Sequence, residues 1–164
     1  MKLILTLSAL LALSCGFAQN GASVSIIDFK VAEGKLTGWL RYLDYSSNKP
    51  FSMPAEVELR VSGPDKIVLA ISYPKEPKAN GNDILTITGN GTVLNGAPLV
   101  ERSMTEDGAI KLVTETSGED GNQHRKALIR HIYFVGRNIF QNRKEVKFEG
   151  EDKWIMRNEF LFIR

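Results

Sequence analysis

The sequence predicts an all-β fold, a single up-and-down antiparallel β-barrel of roughly eight to ten strands. Three observations carry that expectation. The stretch from Ala127 to Ile163 breaks into three runs rich in β-branched and aromatic residues, each bounded by turn residues. Upstream, turn signals recur about every ten residues and no long helical periodicity interrupts them. Connections between successive runs are short, so neighbours in sequence become neighbours in the sheet, and closure removes the exposed edges.

Met1–Gln19 reads as a secretory leader: Lys2, the apolar run Leu3–Leu13, then small residues. That run is too short to span a bilayer, and no later stretch is longer. Gly16-Phe17-Ala18 suits cleavage after Ala18, making residues 1–18 a signal peptide and residues 19–164 one barrel domain beginning at Gln19. Ala12-Leu13-Ser14-Cys15 resembles a bacterial lipobox, which would instead anchor the chain by a lipid at Cys15. Ala12 stands where leucine is usual, so the expectation is soluble export to a periplasmic or extracellular compartment. Cys15 is the only cysteine, so no disulfide supports the exported fold. There are 21 basic residues, one of them Lys2 of the leader, against 19 acidic ones. This near neutrality leaves no electrostatic footprint for nucleic acid.

Asn20–Glu33 is ambiguous, a lead-in with a helical turn that would close one end of the fold. Leu36–Tyr45 is a strand with apolar residues at both parities. Ala55, Val57, Leu59 and Val61 alternate with Glu56, Glu58 and Arg60, and Ile67, Leu69, Ile71 and Tyr73 continue the inward face after a Ser62–Asp65 turn. Pro74–Asn82, with two prolines, reads as a surface loop able to cap an opening. Asn90-Gly91 and Asn95-Gly96 mark turns around Thr92–Leu94. Leu99–Met104 and Ile110–Thr116 form a further hairpin, and Gly118–Asn122 leads into the final three strands.

Charge sets the register of those strands, Ala127–Val135, Ile139–Phe148 and Lys153–Ile163. Directly opposed residues share a face, so one register must satisfy both apolar faces and charge signs. A two-residue loop at Arg137–Asn138 opposes Arg130 to Glu145 and Lys126 to Glu149. A three-residue loop at Gly150–Asp152 opposes Glu145 to Arg157, Arg143 to Glu159, Phe148 to Trp154, Val146 to Met156 and Phe140 to Phe162. The outer face then carries a row Arg130–Glu145–Arg157. The inner face is mostly apolar but holds His131, Lys144 and Asn158 in one row, with Tyr133 and Asn142 beside them. Buried polar groups need partners. Three outcomes are open: Lys144 reaches water at the barrel mouth and the others bond to one another, all five bond to water, or the five are ligand-binding residues with Phe140, Met156, Phe160 and Phe162 holding an apolar body. An inward Lys144 would suit an anionic or hydrogen-bonding head.

A tryptophan on the first strong strand (Gly34-Lys-Leu-Thr-Gly-Trp39), late arginines at Arg157 and Arg164, and the length of the exported chain resemble the lipocalin-type barrels of the calycin superfamily. The resemblance implies a barrel that binds a small, largely apolar molecule, with Trp39 packed near one end beneath a late arginine.

Enzyme signatures are missing: no nucleophile elbow, phosphate loop, dinucleotide fingerprint or His-Glu-x-x-His occurs. His124 and His131 are the only histidines, which leaves no His-rich metal site, and His131 reads as a hydrogen-bonded barrel residue. Glu119–Asn122 and Asn80–Asp83 lack the ligand spacing of a calcium loop and read as turns. No metal or cofactor is expected, and no catalytic residue. Two function classes remain: a module holding an apolar or amphipathic molecule in its interior, or a structural or interaction protein whose barrel is simply filled.

Overall fold

The computed structural model describes residues 21–47 and 49–164. The leader, both processing routes and Cys15 lie outside the described residues. A short helix α1 (Ile26–Lys30) precedes ten strands: β1 (Gly34–Leu43), β2 (Pro50–Val61), β3 (Lys66–Ser72), β4 (Gly81–Thr88), β5 (Val93–Leu94), β6 (Ala97–Met104), β7 (Ile110–Asp120), β8 (Arg125–Gly136), β9 (Ile139–Phe148) and β10 (Ile155–Ile163). Each strand pairs antiparallel with the next, and β1 pairs with β10 to close the barrel. The expected fold class is what the chain adopts.

Strand direction alternates, so the barrel has two distinct ends. One end receives α1 and the β2–β3, β6–β7 and β8–β9 turns. The other, the mouth, is ringed by the β1–β2, β3–β4, β7–β8 and β9–β10 loops. Asp28 holds the start of α1 by accepting from the Ser25 backbone N–H at 2.8 Å, and it also pairs with Arg102 at 2.8 Å. The helix drives Phe29 into the barrel, where it is fully buried against Leu36, Leu59, Ile67, Leu94, Leu112, Val135, Phe140 and Phe162. Val24 and Ala32 complete this plug, so the lead-in segment does close one end as expected. The inward alternation of Ala55, Val57 and Leu59 on β2 and of Ile67, Leu69 and Ile71 on β3 is as the sequence indicates. Gly38 permits the β1–β10 closure: any side chain there would strike the Leu161 carbonyl oxygen.

The wall is uneven. β5 contributes two residues, Val93 and Leu94, that link β4 to β6 near the plugged end. Beyond Thr114, β7 pairs with β8 alone among the described residues, and β4 from Gly81 to Leu85 pairs with β3 alone.

The β8–β9 register is the one charge dictates, with Arg130 opposite Glu145 and Phe140 opposite Val135. From Asn158 to Ile163 the β9–β10 register is also as expected, including Arg143 opposite Glu159 and Phe140 opposite Phe162. Between Met156 and Asn158 it shifts by a β-bulge. A bulge inserts one residue into one strand, so every residue before it changes face relative to an unbulged ladder. Met156, not Arg157, lies opposite Glu145, and Ile155, not Met156, lies opposite Val146. Trp154 is likewise outside, between Arg130 and Lys147, whose cationic groups lie 4.0 and 5.4 Å from its ring centre. Gly118–Asp120, expected to be loop, extends β7.

Candidate functional site

The mouth half of the barrel is built around Asp120, the last residue of β7. Asp120 shares parity with Leu112 and Thr114 on the inner face and is 6% exposed. Its carboxylate accepts three hydrogen bonds: Lys144 Nζ at 2.7 Å, Arg157 Nε at 2.6 Å and the Tyr45 hydroxyl at 3.0 Å. Burial alone would raise its pKa, but the bonds from Lys144, Tyr45 and Arg157 together outweigh burial and hold it below the ordinary carboxylate value. It is ionised at neutral pH.

Each donor arrives from a different element. Lys144 points inward from the middle of β9, opposite His131 on β8 and Asn158 on β10. Arg157 is the extra residue of the bulge, turned inward and 7% exposed. Tyr45 belongs to the β1–β2 loop, and Asn122 Nδ2 donates to its carbonyl at 3.2 Å. The Arg157 guanidinium lies 4.6 Å from the Tyr45 ring centre and 5.4 Å from that of Phe148, which fixes its plane. Burial raises the Tyr45 hydroxyl pKa, and the Asp120 charge adds to that effect.

Deeper in the barrel, His131 Nδ1 donates to Asn142 Oδ1 at 3.2 Å, and the imidazole stacks on Tyr133 with ring centres 6.1 Å apart. Burial lowers the His131 pKa, assisted by the Lys144 ammonium and opposed by Asn142, so the ring is neutral at pH 7. Burial raises the Tyr133 pKa well above that of a free phenol. In their resting forms His131 is a packing and hydrogen-bonding group and Tyr133 a packing one.

Beside Arg157 the mouth contains a cavity of about 550 Å³. Leu40, Tyr42, Leu43 and Phe160 give it an apolar wall, and Arg157 and Asn158 supply polar groups. Asp44 and Ser46 stand on its rim, where Asp44 turns its carboxylate to Ser46 and Ser47.

Of the sequence-predicted site residues, His131, Tyr133, Asn142, Lys144 and Asn158 are inward, as their parity requires. Asn158 and Phe160 line the cavity. Phe140, fully buried, and Phe162 belong to the packed core around Phe29. Met156 is corrected: the bulge places it on the outer surface, 37% exposed. Arg157 is corrected in the opposite sense, because the row Arg130–Glu145–Arg157 does not form. Arg130 instead pairs with Glu115 at 2.6 Å. Arg157 and Asn158, adjacent in sequence, both reach the interior, which strict alternation forbids and a bulge allows. Asp120 and Tyr45 are site residues that sequence reasoning missed. The signal for Asp120 was Lys144 itself: an inward ammonium calls for an inward carboxylate, and Asp120 has the parity of Leu112 and Thr114.

The Trp39–arginine contact implied by the lipocalin-type resemblance is not formed. Trp39 faces outward and is 47% exposed, while Arg157 binds Asp120 and Arg164 donates to the Glu33 carbonyl at 2.7 Å. No family model matches the chain, and no curated protein matches it in sequence.

Proposed function

We propose that this protein is an exported, non-catalytic carrier or sensor that holds one small apolar or amphipathic molecule in the mouth cavity of its barrel. The observation that carries the reading is the division of the interior. The core of the plugged half is packed by side chains around Phe29, whereas the mouth opens into a cleft of about 550 Å³ with an apolar wall and a few fixed polar groups. Small-molecule sites have that composition and a volume of roughly 300–1,000 Å³. The leader-like Met1–Gln19 supports export, and kinship with lipocalin-type barrels is part of the same proposal. A filled barrel with no ligand is the second reading. Asp120 favours it, because three donors already satisfy its carboxylate without any guest.

Fluorescence enhancement of the neutral apolar dye Nile red tests the reading. The protein should bind the dye, and Leu40→Trp, which fills the cavity, should abolish binding while leaving the circular dichroism spectrum unchanged. Dye binding that survives Leu40→Trp unaltered would favour the filled barrel.

A further inference from the structure

Among the described residues, two cations of the mouth interior, Lys144 and Arg157, share one anion, Asp120. The two cations are not equivalent. Lys144 places its ammonium on Asp120 Oδ1 at 2.7 Å. Arg157 gives Asp120 its Nε alone, at 2.6 Å, and the terminal guanidinium nitrogens make no hydrogen bond to any described residue. Those nitrogens belong to a side chain that is 8% exposed and lines the cavity beside Asn158. The neighbouring His131 is neutral and adds no charge. Asp44 on the rim is occupied by Ser46 and Ser47 and is the one acidic residue among the described residues of the cavity wall. That end of the guanidinium is not among the buried atoms left without a partner, so it is open to the cavity, and a planar carboxylate matches it in a bidentate pair.

We propose that the cavity selects amphiphiles with a single carboxylate head, bound by Arg157 and the Asn158 amide, with the apolar remainder along Leu40, Tyr42 and Phe160. The Asp120–Lys144 pair positions Arg157 and does not itself meet the ligand. This inference rests on the ligand-binding reading above and adds the charge of the head.

Titration calorimetry with decanoate, decan-1-ol and decyltrimethylammonium at constant ionic strength tests it. Decanoate should bind the wild-type protein on the order of tenfold to a hundredfold more tightly than decan-1-ol, the span of a desolvated charge-assisted pair. Decyltrimethylammonium should bind most weakly. Arg157→Gln should erase the advantage of decanoate, and Arg157→Lys, which keeps the charge, should retain part of it. Equal affinity for decanoate and decan-1-ol in the wild type would overturn the inference while leaving the ligand-binding reading intact, and this comparison needs no variant to fold. An advantage that persists in folded Arg157→Gln would also overturn it. Binding of none of the three probes, together with failure of Nile red, would remove both readings.

Discussion

Asp120 is the residue on which the interior charge balance turns. Replacing it with Asn keeps the volume but leaves Lys144 and Arg157 inside the barrel without a counter-ion. Breaking a buried pair in this way costs about 3–5 kcal/mol, and urea denaturation of Asp120→Asn should show a loss of that order. Adding Lys144→Met removes one of the stranded cations, so the double variant should be more stable than the sum of the two single effects. Lys144→Met alone should lower stability with little effect on the preference for anionic ligands, since the Lys144 ammonium is committed to Asp120. The pH dependence follows from the same groups. Asp120 has a folded pKa below its unfolded value of 3.8, so its contribution is complete above 3.8 and is lost as pH falls through the lower folded value. His131 is likewise depressed, below 6.5, so its contribution is complete above 6.5 and declines as pH falls through its folded value. Thermal melts should therefore show two acid steps. The upper step should vanish in His131→Asn and the lower should shrink in Asp120→Asn.

At the scale of elements, the β10 bulge decides which chemistry faces inward. Without it, strict alternation would place Trp154 and Met156 inside and Arg157 outside, and Asp120 would keep two of its three donors. Deleting Met156 lets Arg157 occupy the position opposite Glu145 in an unbroken ladder while Asn158 stays opposite Lys144. That variant should fold, lose stability comparable to removal of a buried ion-pair partner, and lose any discrimination between decanoate and decan-1-ol. Deleting Arg157 instead keeps Met156 opposite Glu145 and should cost less at the outer surface while losing the same discrimination. Calorimetric melts and the three-probe titration check both variants. The helix α1 acts at the opposite end. Phe29→Ala should cost about 3–5 kcal/mol, the usual penalty for emptying a large buried aromatic site, with the mouth cavity unaffected.

On the scale of the whole molecule, stability is distributed unevenly around the wall. The β7–β8, β8–β9 and β1–β2 pairs are long and continuous, whereas β5 joins β4 to β6 through only Val93 and Leu94. Short ladders open at lower free energy than long ones. Hydrogen exchange should therefore show the amides of Val93 and Leu94 exchanging before those of Tyr133 and Val146. A ligand seated in the mouth should slow exchange at Tyr42 and Asn158 more than at Phe29.

The barrel class, the up-and-down order, the inward parity of β2 and β3 and the β8–β9 register were legible in the sequence. Each rests on local alternation, turn residues or opposed charges on adjacent strands, and those are short-range properties. The inward placement of His131, Lys144 and Asn158 followed from the same parity. The partner of Lys144 did not, because Asp120 stands 24 residues earlier and meets it only once β7, β8 and β9 are wound into a closed wall. Nor did the place of Arg157. A single inserted residue leaves no mark on composition or spacing, yet it reverses the face of everything before it. Tertiary closure gave that arginine a buried carboxylate to lean on, and the energetic demand of that carboxylate for a third donor is what an unbulged strand would have left unmet.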